Sequence, residues 1–279
     1  MSQPDSQFEF LPQMSAIARE AGTLLMGYFR SRVKIEYKGE ADLVTEADRA
    51  SEKLILERIR KQWPTHDVIG EEGARIETGG DYRWYVDPLD GTTNFAHGFP
   101  VFCVSLGLAF HGKRQAAVVY DPTRDELFAA ERGLGAVLNG EKLSVSKTPK
   151  LQQSLVGTGF PSHKRHKNPN IYFYHQITLR SHGVRRAGSA ALDLTSVAAG
   201  RLDGFWEFNL NAWDLAAGIL IVEEAGGKVT GMHGEPVEIT DRDVVATNGL
   251  IHAELLHEFD EIFAGRGLEP LPDPREYRK

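Results

Sequence analysis

The stretch WYVDPLDGTTNF (residues 84–95) places two aspartates three positions apart, with a proline between them and a glycine after the second. The apolar and aromatic residues before Asp87 predict a strand, and the residues after Asp90 predict the start of a new element. Two carboxylates crowded at a strand end repel each other unless a cation lies between them. The alternative interpretation is a surface turn, because Asp, Pro and Gly are also typical turn residues.

Two other stretches place acidic residues at similar junctions: GEEG, which contains Glu71, and AWDLAAG, which contains Asp214. Alone, the first is typical of a solvated acidic pair and the second of a helix N-cap. Together with Asp87 and Asp90 they indicate an all-oxygen site for Mg²⁺, Mn²⁺ or Ca²⁺, because Zn²⁺ would favour histidine or cysteine ligands. The ends of strands are also where α/β sheets collect their ligands.

The pattern along the chain changes near residue 150. Before it, helical periodicity predicts helices over residues 8–30 and about 45–62, and turn signals between apolar runs predict an antiparallel meander over 100–143. After it, strands and helices alternate. The predicted strands are 155–160, 183–188 and 203–208, and the predicted helices are 170–182, 189–200 (capped by Ser189) and 212–227. We expect an α+β half over 1–150 and an α/β half over 151–279, packed as one compact unit.

Composition narrows the class of protein. The 279 residues are 41% hydrophobic and 25% charged, with a formal net charge of −7, so nucleic acid is an unlikely main partner. The single cysteine, Cys103, excludes an intrachain disulfide, and its apolar surroundings predict that it is buried. The first residues have no signal-peptide pattern, and the longest apolar runs are too short to span a bilayer. We expect a cytoplasmic protein with no membrane partner.

Several motifs carry a family resemblance. DPLDGTTNF resembles the signature D-P-[IL]-D-G-T-x-N-F of the inositol monophosphatase family, and AWDLAAGILIVEEAGG resembles its second signature. The stretches DLVTEAD, IGEEG, HGFPVFCVSLGLA and GVRRAGSAALDLTSVAAGRLDGFWE also match in the family's order, over roughly residues 10–250. The resemblance implies a layered α-β-α-β-α sandwich of the sugar phosphatase type, which agrees with the two halves predicted above.

The resemblance also implies a set of site residues. Two or three Mg²⁺ ions would be held by Glu71, Asp87, the backbone carbonyl of Leu89, Asp90 and Asp214, with Asp48 as a further ligand in some members. The polyol would contact Asp90, Arg185, Gly188, Ser189, Ala190 and Glu207. The family is commonly dimeric, so a homodimer is expected, and Arg185 and Arg186 would alternatively make contacts between subunits.

The residues and the resemblance together predict Mg²⁺-dependent hydrolysis of a phosphate monoester. Glu71 would accept a proton from the attacking water, Thr92 would help to hold that water, and the N–H groups of Gly91 and Thr92 would bind the phosphate. A bound metal would acidify the water and stabilise the leaving alkoxide. We expect Asp90→Asn to abolish turnover and leave the fold intact, as a change in a solvent-facing cluster.

Inositol 1-phosphate is the favoured substrate, because a carboxylate at Glu207 is a good acceptor for neighbouring hydroxyls. Histidinol phosphate, fructose 1,6-bisphosphate and a nucleotide 3′-phosphate stay open, since relatives with these substrates share the metal core. Two other classes also stay open. One is a regulatory or RNA-machinery-binding protein with a secondary phosphatase site, and the other is a metal-binding module without activity.

Overall fold

The computed structural model describes residues 9–31, 35–37, 43–160 and 168–277. Residues 1–8, where we predict no signal peptide and the start of the first helix, lie outside the described residues, and so does Asp42 of the DLVTEAD motif. None of the helices in the described part of the chain is long and apolar enough to cross a membrane.

The helices and strands are numbered in chain order. The helices are α1 (Leu11–Ser31), α2 (Glu46–Gln62), α3 (Thr92–Ala96), α4 (Asn170–Arg180), α5 (Ala190–Ala198), α6 (Ala212–Glu224) and α7 (His252–Phe263). The strands are β1 (Ile35–Tyr37), β2 (Leu43–Thr45), β3 (Asp67–Gly70), β4 (Arg75–Ile76), β5 (Tyr82–Asp90), β6 (Cys103–Phe110), β7 (Lys113–Asp121), β8 (Glu126–Glu131), β9 (Gly135–Leu138), β10 (Glu141–Lys142), β11 (Leu155–Thr158), β12 (Gly183–Arg185), β13 (Gly204–Glu207), β14 (Lys228–Thr230) and β15 (Val244–Thr247).

The strands form two large sheets and one two-stranded hairpin, β1–β2. Sheet I has the order β10-β9-β8-β7-β6-β5-β3-β4, and the predicted meander is confirmed by the antiparallel pairing of β6 to β10. Sheet II has the order β12-β11-β13-β15-β14. Strand β11 is parallel to β12 and β13, because helices α4 and α5 carry the chain back between them, whereas β13, β15 and β14 pair antiparallel.

The sheets and helices stack in five layers. Helices α1 and α2 cover one face of sheet I, and α5 and α6 lie between the two sheets. Helices α4 and α7 cover the outer face of sheet II. The predicted α-β-α-β-α sandwich is therefore confirmed. The last strand of sheet I ends at residue 142 and the first strand of sheet II begins at residue 155. Helix α6 of the second half nevertheless packs on sheet I, so the division into two halves at residue 150 stays a prediction.

Helix α6 approaches sheet I closely because β6 has a glycine at the crossing point. A Cβ at Gly107 would lie 2.7 Å from Cβ of Ala216 and 3.0 Å from the backbone nitrogen of Ala217. Asp214 lies one half-turn before Ala216 on the same helix. The depth at which α6 sits on the sheet therefore also determines where Asp214 lies.

We expect Gly107→Ala to lower the free energy of unfolding by about 1–3 kcal/mol, because the added methyl group overpacks the helix–sheet contact. Gly27→Ala is the control: Gly27 lies on the exposed side of α1 and a Cβ there would meet nothing within 4 Å. That variant should be as stable as the wild type, or more stable by up to about 1 kcal/mol. Equal stability of both variants in urea unfolding would contradict this packing explanation.

A buried histidine links α7 to sheet II. His252 is 1% exposed, and its ring nitrogens lie 3.0 Å from the Thr230 hydroxyl and 2.9 Å from the Thr247 hydroxyl. Burial, together with the charge of Lys228, lowers the pKa of His252 to about 4. A neutral imidazole offers one donor and one acceptor, which matches the two hydroxyls.

The lowered pKa of His252 predicts an acid-sensitive fold. The unfolded chain binds a proton at His252 near pH 6.5, and the folded chain does so only near pH 4. The contribution of His252 to the free energy of unfolding is therefore complete above pH 6.5 and is lost as the pH falls toward 4. We expect a loss of about 3 kcal/mol over this interval from His252. His252→Gln should flatten the dependence by that amount in denaturant unfolding at pH 4 to 7. An unchanged slope would contradict the assignment.

Candidate active site

A bulge at the end of β5 turns Asp87 and Asp90 toward the same region. Strand β5 pairs regularly with β6 up to Asp87 and Ser105, and the register shifts before Asp90 pairs with Cys103. Residues three apart in a regular strand point to opposite faces, so the shift is what allows the two carboxylates to converge. The N–H of Leu89 donates to Oδ1 of Asp87 (3.0 Å) and holds that side chain in place.

Gly91 and Thr92 continue the chain into α3. Gly91 has φ 97°, and a Cβ there would lie 2.8 Å from the carbonyl oxygen of Val101, so both its conformation and its surroundings require glycine. The Thr92 hydroxyl lies 3.0 Å from the carbonyl oxygen of Leu89 and 3.1 Å from Oδ1 of Asp48. Its single proton is therefore directed toward these acceptors, which leaves its oxygen lone pairs for another donor.

One face of α2 contacts three segments of the candidate site. Besides the contact of Asp48 with Thr92, the Ser51 hydroxyl donates to the carbonyl oxygen of Pro88 (2.9 Å). The Glu52 carboxylate accepts a hydrogen bond from the N–H of Glu72 (3.0 Å), next to Glu71.

Ser51 and Glu52 are not among the predicted site residues. Both are buried, at 0% and 8% exposure, and they continue the inward face that Ile55 and Ile59 form further along α2. Polar residues on the apolar side of a predicted helix are the signal that would have found them.

Asp90 connects the two halves of the chain. Its Oδ2 accepts hydrogen bonds from the Ser189 hydroxyl (2.7 Å) and from the N–H of Ala191 (2.7 Å), and the Cys103 sulfur lies 3.8 Å away. Ser189 is also the N-cap of α5, as predicted, and Cys103 is buried, as predicted. The expectation of a solvent-facing cluster holds only in part: Asp87 is 2% exposed, whereas Glu71, Asp90 and Asp214 are half-buried.

Asp214 comes from the first turn of α6. The helix N-cap is Asn211 rather than Asp214, and the N–H of Asn211 donates to Oδ2 of Asp214 (2.6 Å). The carboxylate is therefore bound at the positive end of a helix, which partly offsets the repulsion from the other acids.

The four carboxyl groups strongly influence one another. Burial and then the charge of Asp214 raise the pKa of Glu71 to about 8, and burial and then the charge of Asp90 raise that of Asp214 to about 7. Burial and then the charge of Glu71 raise the pKa of Asp87 well above its usual value, and the two carboxyl groups are hydrogen-bonded. Burial also raises the pKa of Asp90. The cause is a group of like charges at half-buried or buried positions, and no described lysine or arginine forms an ion pair with any of them.

This donor set fits a hard divalent cation. Carboxylate oxygens and a backbone carbonyl are the ligands that Mg²⁺, Mn²⁺ and Ca²⁺ prefer, and a cation would replace the proton between Glu71 and Asp87. Within the described ranges, however, no three His, Cys, Asp or Glu side chains are already grouped so as to hold a metal ion. The assignment of Glu71, Asp87, Leu89, Asp90 and Asp214 as metal ligands therefore stays a prediction.

The predicted polyol residues lie on the α5 and sheet II side of the carboxylates. Gly188, Ser189 and Ala190 lead into α5 beside Asp90, and Glu207 ends β13 with 8% exposure. Arg185 is exposed on β12. The neighbouring Arg186, not Arg185, is the cation whose charge acts on the buried carboxyls of Glu207 and Asp193.

Asn94 is a further residue near the site that is not among the predicted site residues. Its side-chain nitrogen donates to the carbonyl oxygens of Val101 (2.8 Å) and Ala187 (2.9 Å), so it ties α3 to the segment that leads into α5. It lies within the DPLDGTTNF motif, and an asparagine after a helix start is a signal for such backbone contacts.

The model of the inositol monophosphatase family matches residues 7–263 of the chain. The chain belongs to this family. It is 46% identical over 238 residues to an inositol-1-monophosphatase of Synechocystis sp., covering 84% of this chain and 83% of that protein. It is 47% identical over 242 residues to the Nus factor SuhB of Pseudomonas aeruginosa, covering 83% of this chain and 88% of that protein.

A solved structure agrees with the fold of this inositol monophosphatase family member. The extragenic suppressor protein suhB of Bartonella henselae superposes with a TM-score of 0.85 at 40% identity, covering 90% of this chain and 98% of that chain. The predicted family and fold class are therefore confirmed. Membership in the inositol monophosphatase family supports phosphatase activity, and families of this kind act on small phosphorylated compounds.

The contacts of Asp90 predict opposite effects of two substitutions on stability in metal-free buffer. Asp90→Asn should keep or raise the melting temperature, because it keeps an acceptor for Ser189 and Ala191 and removes one of several repelling charges. Asp90→Ala should lower the free energy of unfolding by about 1–3 kcal/mol, because it leaves these buried donors without a partner. A lower melting temperature for Asp90→Asn than for Asp90→Ala would contradict this account.

Proposed function

We propose that this inositol monophosphatase family member hydrolyses phosphate monoesters of polyols, with inositol 1-phosphate as the substrate and Mg²⁺ as the metal. The observation that carries the proposal is the convergence of four mutually repelling carboxyl groups, Glu71, Asp87, Asp90 and Asp214, beside the held hydroxyl of Thr92. A stable fold alone does not require such a group of converging like charges. The name of the Synechocystis relative supports the choice of substrate.

Glu71, Asp87, Asp90 and Asp214 and the carbonyl oxygen of Leu89 would hold two or three Mg²⁺ ions. When bound, these ions would lower the pKa of the attacking water and neutralise charge on the phosphate and the leaving oxygen. Asp48 is a further candidate ligand, and its carboxylate lies 3.1 Å from the Thr92 hydroxyl.

The chain's own residues would then orient the water and move its proton. Thr92 would accept a hydrogen bond from the water, since its own proton is directed toward Asp48 or Leu89. Glu71 would accept the second proton of the water as its oxygen attacks phosphorus. The P–O ester bond breaks, phosphate is formed, and the leaving alkoxide takes up a proton. The N–H groups of Gly91 and Thr92 would bind the phosphate oxygens.

The polyol would lie between Asp90 and Glu207, along the start of α5 at Gly188, Ser189 and Ala190. Two carboxyl groups can accept hydrogen bonds from neighbouring hydroxyls of a polyol. Arg185 also stays a candidate contact, although the charge of Arg186 is the one that acts on Glu207.

Other substrates and another role are compatible with the same site. Histidinol phosphate, fructose 1,6-bisphosphate and a nucleotide 3′-phosphate stay possible substrates, and the name of the Pseudomonas relative, Nus factor SuhB, keeps a regulatory role open. A homodimer, a cytoplasmic location and the absence of a nucleic-acid or membrane partner stay predictions.

The test is phosphate release from these four kinds of ester, using 3′-phosphoadenosine 5′-phosphate for the nucleotide, with Mg²⁺ and with a chelator. We expect Mg²⁺-dependent release with a preference for inositol 1-phosphate. Glu71→Gln should lower kcat by about 10²- to 10⁴-fold, because the carboxylate that accepts the proton is lost.

Leu271→Ala is the control, because Leu271 is 68% exposed near the end of the described chain, and its activity should equal that of the wild type. Preference for another ester would replace the proposed substrate and keep the mechanism. No release from any ester by the folded protein would reject the enzymatic proposal and favour the regulatory role.

A further inference from the structure

The carboxyl group of Glu207 occupies the space beside Gly159 in which a side chain of residue 159 would otherwise lie. We call this space the Glu207 slot. Thr158 of β11 and Trp206 of β13 are direct neighbours in the parallel part of sheet II, so Gly159 and Glu207 follow them side by side. A Cβ at Gly159 would overlap all three atoms of the Glu207 carboxyl group. Gly159 has no left-handed conformation that would require glycine, so the space taken by Glu207 is the structural reason for glycine here.

Asn170, the first residue of α4, holds both walls of this slot. Its side-chain nitrogen donates to the carbonyl oxygen of Gly159 (2.6 Å) and to the Thr158 hydroxyl (2.9 Å), and its side-chain oxygen accepts from the Trp206 indole (2.6 Å). Asn170, Thr158 and Trp206 are all 0% exposed. Hydrogen bonds at such buried positions are costly to lose, so the arrangement resists change.

The orientation of these hydrogen bonds is unique. The Trp206 indole can only donate, so it must face the side-chain oxygen of Asn170, and the Asn170 nitrogen must then face Gly159 and Thr158. The Thr158 hydroxyl in turn donates to the carbonyl oxygen of Trp206 (2.7 Å), the residue directly before Glu207. The result is a closed ring of hydrogen bonds between the two strand ends and α4.

Glu207 needs such a support because its surroundings repel it. The charges of three carboxyl groups, those of Asp193, Asp214 and Asp90, act against its ionised form, and the charge of Arg186, among the described residues, favours that form. Without a fixed slot, a carboxyl group in this environment would turn toward solvent. The ring does not include Glu71, Asp87 or Thr92, so it acts on the polyol end of the site and not on the phosphate end.

We propose that Gly159 and Asn170 are positioning residues that hold Glu207 toward the polyol part of the substrate, and so determine the preference for polyol phosphates over other phosphate esters. This inference rests on the proposed function, in which Glu207 accepts hydrogen bonds from the polyol. Gly159 and Asn170 contact Glu207 or its strand, and of these three residues Glu207 alone would contact the substrate.

The experiment compares kcat/KM for inositol 1-phosphate with kcat/KM for p-nitrophenyl phosphate, whose leaving group has no hydroxyls. Glu207→Gln establishes how much the preference depends on this carboxylate. Gly159→Ala fills the slot, and Thr158→Val opens the ring with little change in side-chain shape, in case Gly159→Ala does not fold. Gly204→Ala is the matched control in β13, where a Cβ would meet its nearest neighbours at 3.4 Å, an ordinary contact.

We expect Glu207→Gln, Gly159→Ala and Thr158→Val each to reduce the ratio of the two kcat/KM values by about tenfold or more, mainly through a higher KM for inositol 1-phosphate. Gly204→Ala should leave the ratio unchanged. The values for p-nitrophenyl phosphate should stay within about threefold of the wild type, because the phosphate end is not altered.

The possible failures can be told apart. If Glu207→Gln lowers the ratio and the folded Gly159→Ala and Thr158→Val variants do not, the positioning role is wrong and the proposed function stands. If these two variants lose both substrates equally, their role is general stability and the inference is overturned. If Glu207→Gln itself leaves the ratio unchanged, the proposed polyol contact fails, and the inference fails with it.

Discussion

The repulsion among four converging carboxyl groups is the constraint on which the rest of this structure depends. Glu71, Asp87, Asp90 and Asp214 raise one another's pKa because burial weakens screening, and a flexible chain would separate them. Each carboxylate is instead positioned by the backbone element that carries it. The bulge in β5 positions Asp87 and Asp90, the end of β3 positions Glu71, and the first turn of α6 positions Asp214. A functional site of this kind lowers the stability of the fold, and the packing of the layers offsets that loss.

The five layers explain how distant parts of the chain reach this one region. Sheet I ends at the carboxylates, α2 supports them from one face, and α5 and α6 reach them from the other. The close crossing at Gly107 brings α6 near enough for Asp214, and the contact of Asp90 with Ser189 and Ala191 joins sheet I to the start of α5. Helices α5 and α6, the layer between the two sheets, therefore bring residues from both halves of the chain to the same region.

The two ends of the site are built by different means. At the proposed phosphate end, the groups are held by contacts within and between β5, α3 and α2, which leave little freedom for variation. At the proposed polyol end, Glu207 lies where contacts between sheet II and α4, made by Gly159 and Asn170, determine the available space. This separation gives a physical reason why proteins with one catalytic core can differ in substrate. The proposed positioning residues, Gly159 and Asn170, lie outside the stretches that match the family's motifs.

The sequence by itself determined the local elements and the family. Helical periodicity, the Ser189 cap and turn signals located the helices and the meander, and the motif around Asp87 and Asp90 identified the family, because these signals lie within a few residues of each other. Only the tertiary structure decided the contacts over long sequence distances. The bulge, the contact of Asp90 with α5 and the seat of Glu207 between Gly159 and Asn170 could not be read from the sequence. They depend on how strands and helices pack, and no local pattern encodes which distant partner fills a given space.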